Sequence, residues 1–191
     1  NLRRAIETVC LCLRDRLDAA GKGDPEQVVM HSGLQEISRN IDTLALAPKG
    51  GVPAMPKLGA ALRGSFDLAT RFECSTNAGN KPLRGTGLTR MTSFLEWAFA
   101  RRDSDGTSTF IIGGHSLWFR SFFQTFLPPE GQLPAGAEMA RTARTNKIKN
   151  CGIIKLQVRA GTLAAGKRWY KIDEKSISSV EAGFEEGKKK K

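Results

Sequence analysis

The hydrophobic positions of this chain change period several times, and each change predicts a different element. Leu2, Ile6, Val9, Leu13 and Leu17 fall on one stripe at helical spacing. Arg3, Arg4, Glu7, Arg14 and Asp15 lie mostly off that stripe, so residues 2–17 are predicted to form an amphipathic helix ended by Gly21 and Gly23. Residues 27–30 form a short strand candidate. Residues 33–42 come next as a loop or short helical turn carrying Glu36, Arg39, Asn40 and Asp42. Residues 44–62 are interrupted by Pro48, Gly50, Gly51, Pro53, Pro56 and Gly59, a pattern that predicts an irregular excursion. Thr89 reads as the N-cap of a helix over 90–102, with Met91, Phe94, Leu95, Ala98 and Phe99 on its apolar face. A turn at 103–108 then leads into the most informative stretch of the chain.

Residues 110–127 read FIIGGHSLWFRSFFQTFL. The apolar run 110–112 suits a buried strand, and Gly113 with Gly114 allows a tight turn that places His115 at its end. Ser116 is positioned to cap a helix on which Phe119, Phe122, Phe123 and Phe126 recur, and Pro128 with Pro129 stops it. An imidazole beside the free N–H groups of a helix start is a natural phosphate site. On spacing alone, a histidine capped into the edge of a core remains the default alternative. Further on, 134–150 is polar and basic, fitting a surface loop or short helix. Residues 151–158 and 168–172 predict two strands joined by a Gly-rich turn, and the chain from Glu174 onward has little to bury. Helix, strand, helix, strand, helix and a final strand pair together predict an α/β sandwich around one sheet.

Composition narrows the partners. The 191 residues are 40% hydrophobic, enough for one domain with a real core. No apolar run approaches the ~18 residues that cross a membrane, and no membrane partner is expected. The net charge of +11 invites an anionic partner, but residues 188–191 supply four of those charges as a terminal lysine run. The other basic residues are scattered and accompanied by only three Trp and one Tyr, so no base-stacking platform is visible and nucleic acid is not expected. Cys10, Cys12, Cys74 and Cys151 lack zinc-ligand spacing. Free thiols are the default in a reducing compartment, which points to the cytosol.

Several motifs are too incomplete to carry chemistry. The segment GNKPLRGTG (79–87) lacks the Gly-Lys-Ser/Thr ending of a phosphate-binding loop. His31 has no Cys or Glu at ligand spacing and is read as structural, and no Gly-x-Ser-x-Gly elbow occurs. What survives is Arg4 on the first helix, Glu36 after the second element, and His115 with Arg120 on the central unit. Singly, each has a plainer explanation: a solvated helix arginine, a capping carboxylate, a core-edge histidine, an arginine snorkelling to water.

In order, LRRAIET (2–8), LQEISRNIDT (34–43) and GGHSLWFRSFF (113–123) resemble the histidine phosphatase superfamily, the phosphoglycerate mutase-like proteins. The resemblance covers residues 1 to about 172. It implies a three-layer α/β/α sandwich around one mostly parallel sheet, with a domain over 1–173 and a basic, flexible tail over 174–191. It also implies roles for four residues. Arg4 and Ser116 would bind phosphate oxygens, Glu36 would protonate the leaving alkoxide, and His115 would stabilise charge on the phosphoryl group in flight. Such chemistry needs positioned positive charge more than metal or redox groups, so no cofactor or metal is expected. The expected partner is a phosphorylated small molecule or a phosphoprotein.

The family's nucleophile is a histidine in an Arg-His-Gly motif upstream of the position of Arg4, and no Arg-His-Gly occurs in this sequence. The resemblance therefore leads to two expectations. Either the chain is an N-terminally incomplete phosphatase or phosphomutase lacking its first strand, and is inactive and poorly stable alone, or it is a pseudo-phosphatase that binds phosphorylated ligands or scaffolds. The family's glycolytic mutases carry Glu-Arg-His-Tyr-Gly where this chain has EISRN (36–40), which favours phosphatase-like activity over mutase activity.

Overall fold

In a computed structural model, the structure describes residues 3–19, 27–36, 47–52, 71–79 and 87–186. The chain divides into two compact units, Asn1–His115 and Ser116–Lys191.

In the first unit the predicted amphipathic helix forms as two pieces, α1 (Arg3–Cys12) and α2 (Arg14–Ala19). The bonds from Leu13 N–H to the Val9 carbonyl and from Leu17 N–H to the Leu13 carbonyl, both 2.9 Å, carry helical pairing across the junction. Ile6 and Cys10 bury the inner stripe of α1 against Met30 and Ala47, with Val28, Phe72 and Cys74 packed around them. Burial first, then the charge of Glu7, pushes the Cys10 thiol up to about 11. Cys12, two residues on, is exposed. The glycines expected to end this helix lie outside the described residues.

Strand β1 (Val28–Val29) pairs in parallel with β2 (Phe72–Glu73), Val28 opposite Phe72 and Val29 opposite Glu73. Met30 N–H adds a bond to the Glu73 carbonyl at 2.8 Å. Helix α3 (Gly87–Asp105) buries the five predicted residues Met91, Phe94, Leu95, Ala98 and Phe99. It is longer than expected at both ends: Thr89 lies inside it, and the predicted turn begins only after Asp105. The extension at the C-terminal end has a visible cause. Arg101 pairs with Asp105 at 2.8 Å, and Gly106, at φ +76°, closes the helix with a bond to the Arg102 carbonyl.

Thr107, through its hydroxyl and its N–H, holds the Asp105 carboxyl down to about 2, with Arg101 adding to the effect. A folded value below the ordinary 3.8 means that the stabilisation is complete above about pH 4 and vanishes as pH falls through 2. Helical signal at residues 101–105 is therefore expected to fray between pH 4 and 2, and Asp105→Asn should remove that pH dependence in NMR chemical shifts.

The second unit starts at α4 (Ser116–Phe126), which buries Trp118, Phe122, Phe123 and Phe126. Three residues of the predicted apolar stripe, Phe122, Phe123 and Phe126, are buried as expected, while Trp118 is buried in place of Phe119, which is only partly covered. Arg120 is half-buried, and its Nε is shielded from solvent rather than extended into it. The polar stretch 134–150 contains α5 (Glu138–Thr145), with Ala140 and Ala143 fully buried where α4 and α5 pack. Arg144 ties the two helices by donating to the carbonyls of Leu127 at 3.2 Å and Pro128 at 3.1 Å.

The strand expected over 151–158 is two strands with different partners. Cys151 adopts φ +58° in a turn, after which β3 (Ile153–Lys155) pairs antiparallel with β6 (Ser178–Glu181). Strand β4 (Val158–Thr162) pairs antiparallel with β5 (Arg168–Ile172), Val158 opposite Ile172 and Thr162 opposite Arg168. Beyond Glu174, Ile177 is buried and Phe184 packs edge-on against Phe123 at 5.9 Å, so this segment does bury apolar surface. Residues 188–191 lie outside the described residues. Among the described residues the strands thus form three two-stranded sheets, one parallel and two antiparallel. No helix there is long and apolar enough to cross a membrane.

Candidate functional site

The chemistry-bearing groups of the first unit gather where β1 leaves its sheet. After Met30 the chain enters a short 3-10 turn (Ser32–Leu34), capped by His31, whose Nδ1 accepts the Gly33 N–H at 2.9 Å. An imidazole nitrogen can accept only when unprotonated. Burial keeps His31 in that state by lowering its pKa, while the charge of Glu73 opposes the shift. The ring stands edge-on to Phe94 at 5.5 Å and lies 5.1 Å from Trp97. This is the structural role expected from sequence.

Gly33 is where that turn meets α3. A Cβ there would lie 2.6 Å from the Arg90 carbonyl oxygen, 2.9 Å from His31 Nδ1 and 2.9 Å from Phe94 Cβ. None of these is the free end of a flexible side chain. Gly33→Ala is therefore expected to cost about 1–3 kcal/mol by overpacking, measured as a lower denaturant midpoint with an unchanged slope.

Two residues past the turn, Gln35 and Glu36 are both buried. Gln35 is pinned on three sides. Its Nε2 donates to the Gly79 carbonyl and to Ser32 Oγ, and its own carbonyl accepts from Arg90 Nη1 at 3.3 Å. The next side chain, Glu36, brings Oε2 to 3.9 Å from His115 Nδ1. The two side chains are only 7% and 11% exposed. That separation is too long for a direct hydrogen bond, and both groups are shielded from bulk solvent. Partial burial lowers the Arg90 guanidinium below its usual range, and the Glu36 charge counteracts it.

His115 reaches this place through the glycine pair. A Cβ on Gly113 would overlap Val9 Cγ2, so only glycine lets the turn approach α1 so closely. The predicted strand 110–112 is absent as a ladder among the described residues, and Ile111 is 59% exposed. A strand needs a neighbour to bond with, and none of the described strands lies alongside it.

Of the four residues expected at the site, Glu36 and His115 are brought together. Arg4 is exposed on α1, and its side chain bonds to none of the described residues. Ser116 is the first residue of α4 rather than its cap. The residues of LQEISRNIDT beyond Glu36 lie outside the described residues. Sequence reasoning missed Arg90 and Gln35. The usable signal was Arg90 itself: a cation in the first turn of a helix opposes the helix dipole and calls for an anionic or carbonyl partner. Among the described residues, no three His, Cys, Asp or Glu side chains are placed to hold a metal ion. No family model, curated protein or solved structure matches this chain.

Proposed function

We propose that this chain is the larger part of a histidine phosphatase-like protein, a three-layer α/β/α phosphoglycerate mutase-like domain that hydrolyses or transfers phosphomonoesters through a phosphohistidine. The observation that carries the reading is the buried Glu36–His115 pair. A carboxyl and an imidazole held 3.9 Å apart supply a proton donor and an adjustable donor for phosphoryl oxygens. They come from segments 79 residues apart in sequence, as a site assembled by folding requires.

In this reading the carboxyl of Glu36 gives its proton to the departing alkoxide, while His115 hydrogen-bonds the phosphoryl oxygens as charge moves across them. Arg4 would need to turn inward from its exposed place to join them. The phosphoryl-accepting histidine comes from an Arg-His-Gly motif outside this sequence. Substrates are phosphorylated small molecules or phosphoproteins.

One observation favours a second reading. The 191 residues contain two histidines, and neither stands in an Arg-His-Gly motif. A pseudo-phosphatase would keep the pocket and bind phosphorylated ligands without turnover. The test is to obtain the parent protein with its complete N-terminal sequence and assay p-nitrophenyl phosphate hydrolysis. Turnover with acid-labile phosphate on an upstream histidine supports the enzyme. Binding of a phosphomonoester without turnover supports the pseudo-enzyme, and neither binding nor turnover rejects both.

A further inference from the structure

The β4–β5 hairpin of the second unit is covered at one end only. Ile172 is fully buried and Tyr170, opposite Ala160, is half-buried, while every residue from Thr162 to Trp169 is exposed. The tip is closed by bonds from Leu163 N–H to the Lys167 carbonyl at 2.9 Å and from Gly166 N–H to the Leu163 carbonyl at 2.8 Å, with Gly166 at φ +76°. That geometry demands the glycine and nothing else. Turns facing solvent ordinarily carry Asn, Asp, Ser or Pro. Here they are replaced by Leu163, Ala164 and Ala165, and Leu163 is 52% exposed.

Side chains alternate across a ribbon, so the register places Trp169, Arg159 and Lys171 on the face opposite to that of Ile172. A Cβ on Gly161, the partner of Trp169, would lie 2.5 Å from its Cζ2 and 2.7 Å from its Nε1, so only glycine admits the indole against the ribbon. Arg159 stands directly opposite Lys171, a like-charge pairing that costs stability. The carboxylates that offset it lie at the base of the hairpin: Asp173 bonds Arg159, and Glu174 is 3.9 Å from Lys171. Between Glu138 and Asp173 the sequence has nine Lys or Arg and no Asp or Glu, so the ribbon brings no negative charge to its tip, where Lys167 and Arg168 stand.

We propose that this hairpin is a peripheral membrane anchor that docks on an anionic phospholipid surface. Leu163, Ala164 and Ala165 enter the boundary between headgroups and acyl chains, and the cations behind them meet lipid phosphates and carboxylates. Such an anchor needs no membrane-spanning run. At about 3.3 Å per residue, Trp169 lies roughly 7 Å back from Lys167, and the Arg159–Lys171 pair roughly 13 Å back. A headgroup layer is about 5–8 Å thick, so the indole falls inside it, where an amphipathic ring is favoured. The Arg159–Lys171 pair stays in water, within about a Debye length of the surface. Single-stranded nucleic acid would use the indole and the cations. It stacks successive bases on several aromatic rings, however, and would leave the three apolar tip residues in water.

The test is sedimentation of the 191-residue chain with vesicles of phosphatidylcholine alone, and with vesicles of equal parts phosphatidylcholine and phosphatidylserine. Binding is expected on the mixed vesicles and should weaken as salt rises. Replacing the tip by Leu163→Ser, Ala164→Ser and Ala165→Ser together keeps every charge and is expected to weaken that binding about tenfold or more. Equal binding by the wild type and the serine variant would mean that charge alone is read, the lysines at 188–191 included, and overturns the proposal. Phospholipids brominated on the acyl chain near the headgroup should quench wild-type tryptophan fluorescence and quench Trp169→Phe much less; equal quenching also overturns it. If the serine variant loses its circular dichroism spectrum, this quenching comparison decides. Failure to bind the mixed vesicles, or equal binding to both kinds, rejects the anionic surface. Binding to single-stranded oligothymidylate that Trp169→Ala abolishes and the serine variant retains assigns the face to nucleic acid instead. No readout involves hydrolysis, so this proposal and the phosphatase reading stand or fall separately.

Discussion

On the histidine phosphatase reading proposed above, replacing His115 with Ala is expected to lower phosphomonoester hydrolysis by roughly 10²–10⁴-fold while leaving the melting temperature nearly unchanged. The rate should fall because His115 sits next to Glu36 with only 11% of its side chain exposed, where a donor aimed at developing charge acts without competition from water. The fold should survive because the imidazole ends a glycine turn and is not one of the residues that make the core. Glu36→Gln keeps the shape and removes the transferable proton, so it is expected to slow esters with poor leaving groups far more than p-nitrophenyl phosphate. The double variant should be only slightly worse than the poorer single one, since the two groups act as a unit. A His115→Ala protein within roughly twofold of the wild-type rate would remove His115 from the chemistry.

Of the pair, only His115 stands in a patterned stretch. Gly113 and Gly114 announced a turn before His115, and the turn exists because no side chain fits between Gly113 and Val9. Glu36 was legible only through its place in LQEIS. What holds it was not, because Arg90 and the Gly79 carbonyl reach Gln35 from 55 and 44 residues away. Such contacts leave no trace in local spacing. Arg4 was legible as an arginine on a helix, which is how it stands in the structure.

The fold was legible where one period ran long enough to fix a face. Helix α3 carries its five predicted inward residues. The strands were harder. The apolar run 151–158 hides a break, because Ile153 and Val158 belong to different ribbons and their partners lie downstream on β6 and β5. The run 110–112 has strand composition without a strand neighbour among the described residues. Pattern reports which face a residue shows, while pairing depends on what else the chain brings alongside.

Trp118→Ala is expected to cost the second unit about 3–5 kcal/mol, enough to remove a large share of a typical domain's stability. The sequence marks four phenylalanines on α4, yet the side chain at the centre of that face is Trp118, 1% exposed. Its ring stacks on Phe122 with centroids 5.0 Å apart and planes 15° off parallel, while Phe119 meets it edge-on at 5.3 Å. Alanine removes both aromatic pairs, each worth about 0.5–1.5 kcal/mol beyond buried area. It also leaves a cavity where a 1% exposed ring stood, which adds to the cost. Trp118→Phe keeps a ring in place and should retain most of the stability. Trp169, 40% exposed on β5, is the matched control, because Trp169→Ala deletes the same side chain where solvent already reaches it. Urea unfolding followed by far-ultraviolet circular dichroism should show a clear drop in midpoint for Trp118→Ala and a much smaller one for Trp169→Ala. Equal shifts would mean that α4 is not held by its aromatic face, and that the burial of Trp118 in place of Phe119 has no energetic consequence.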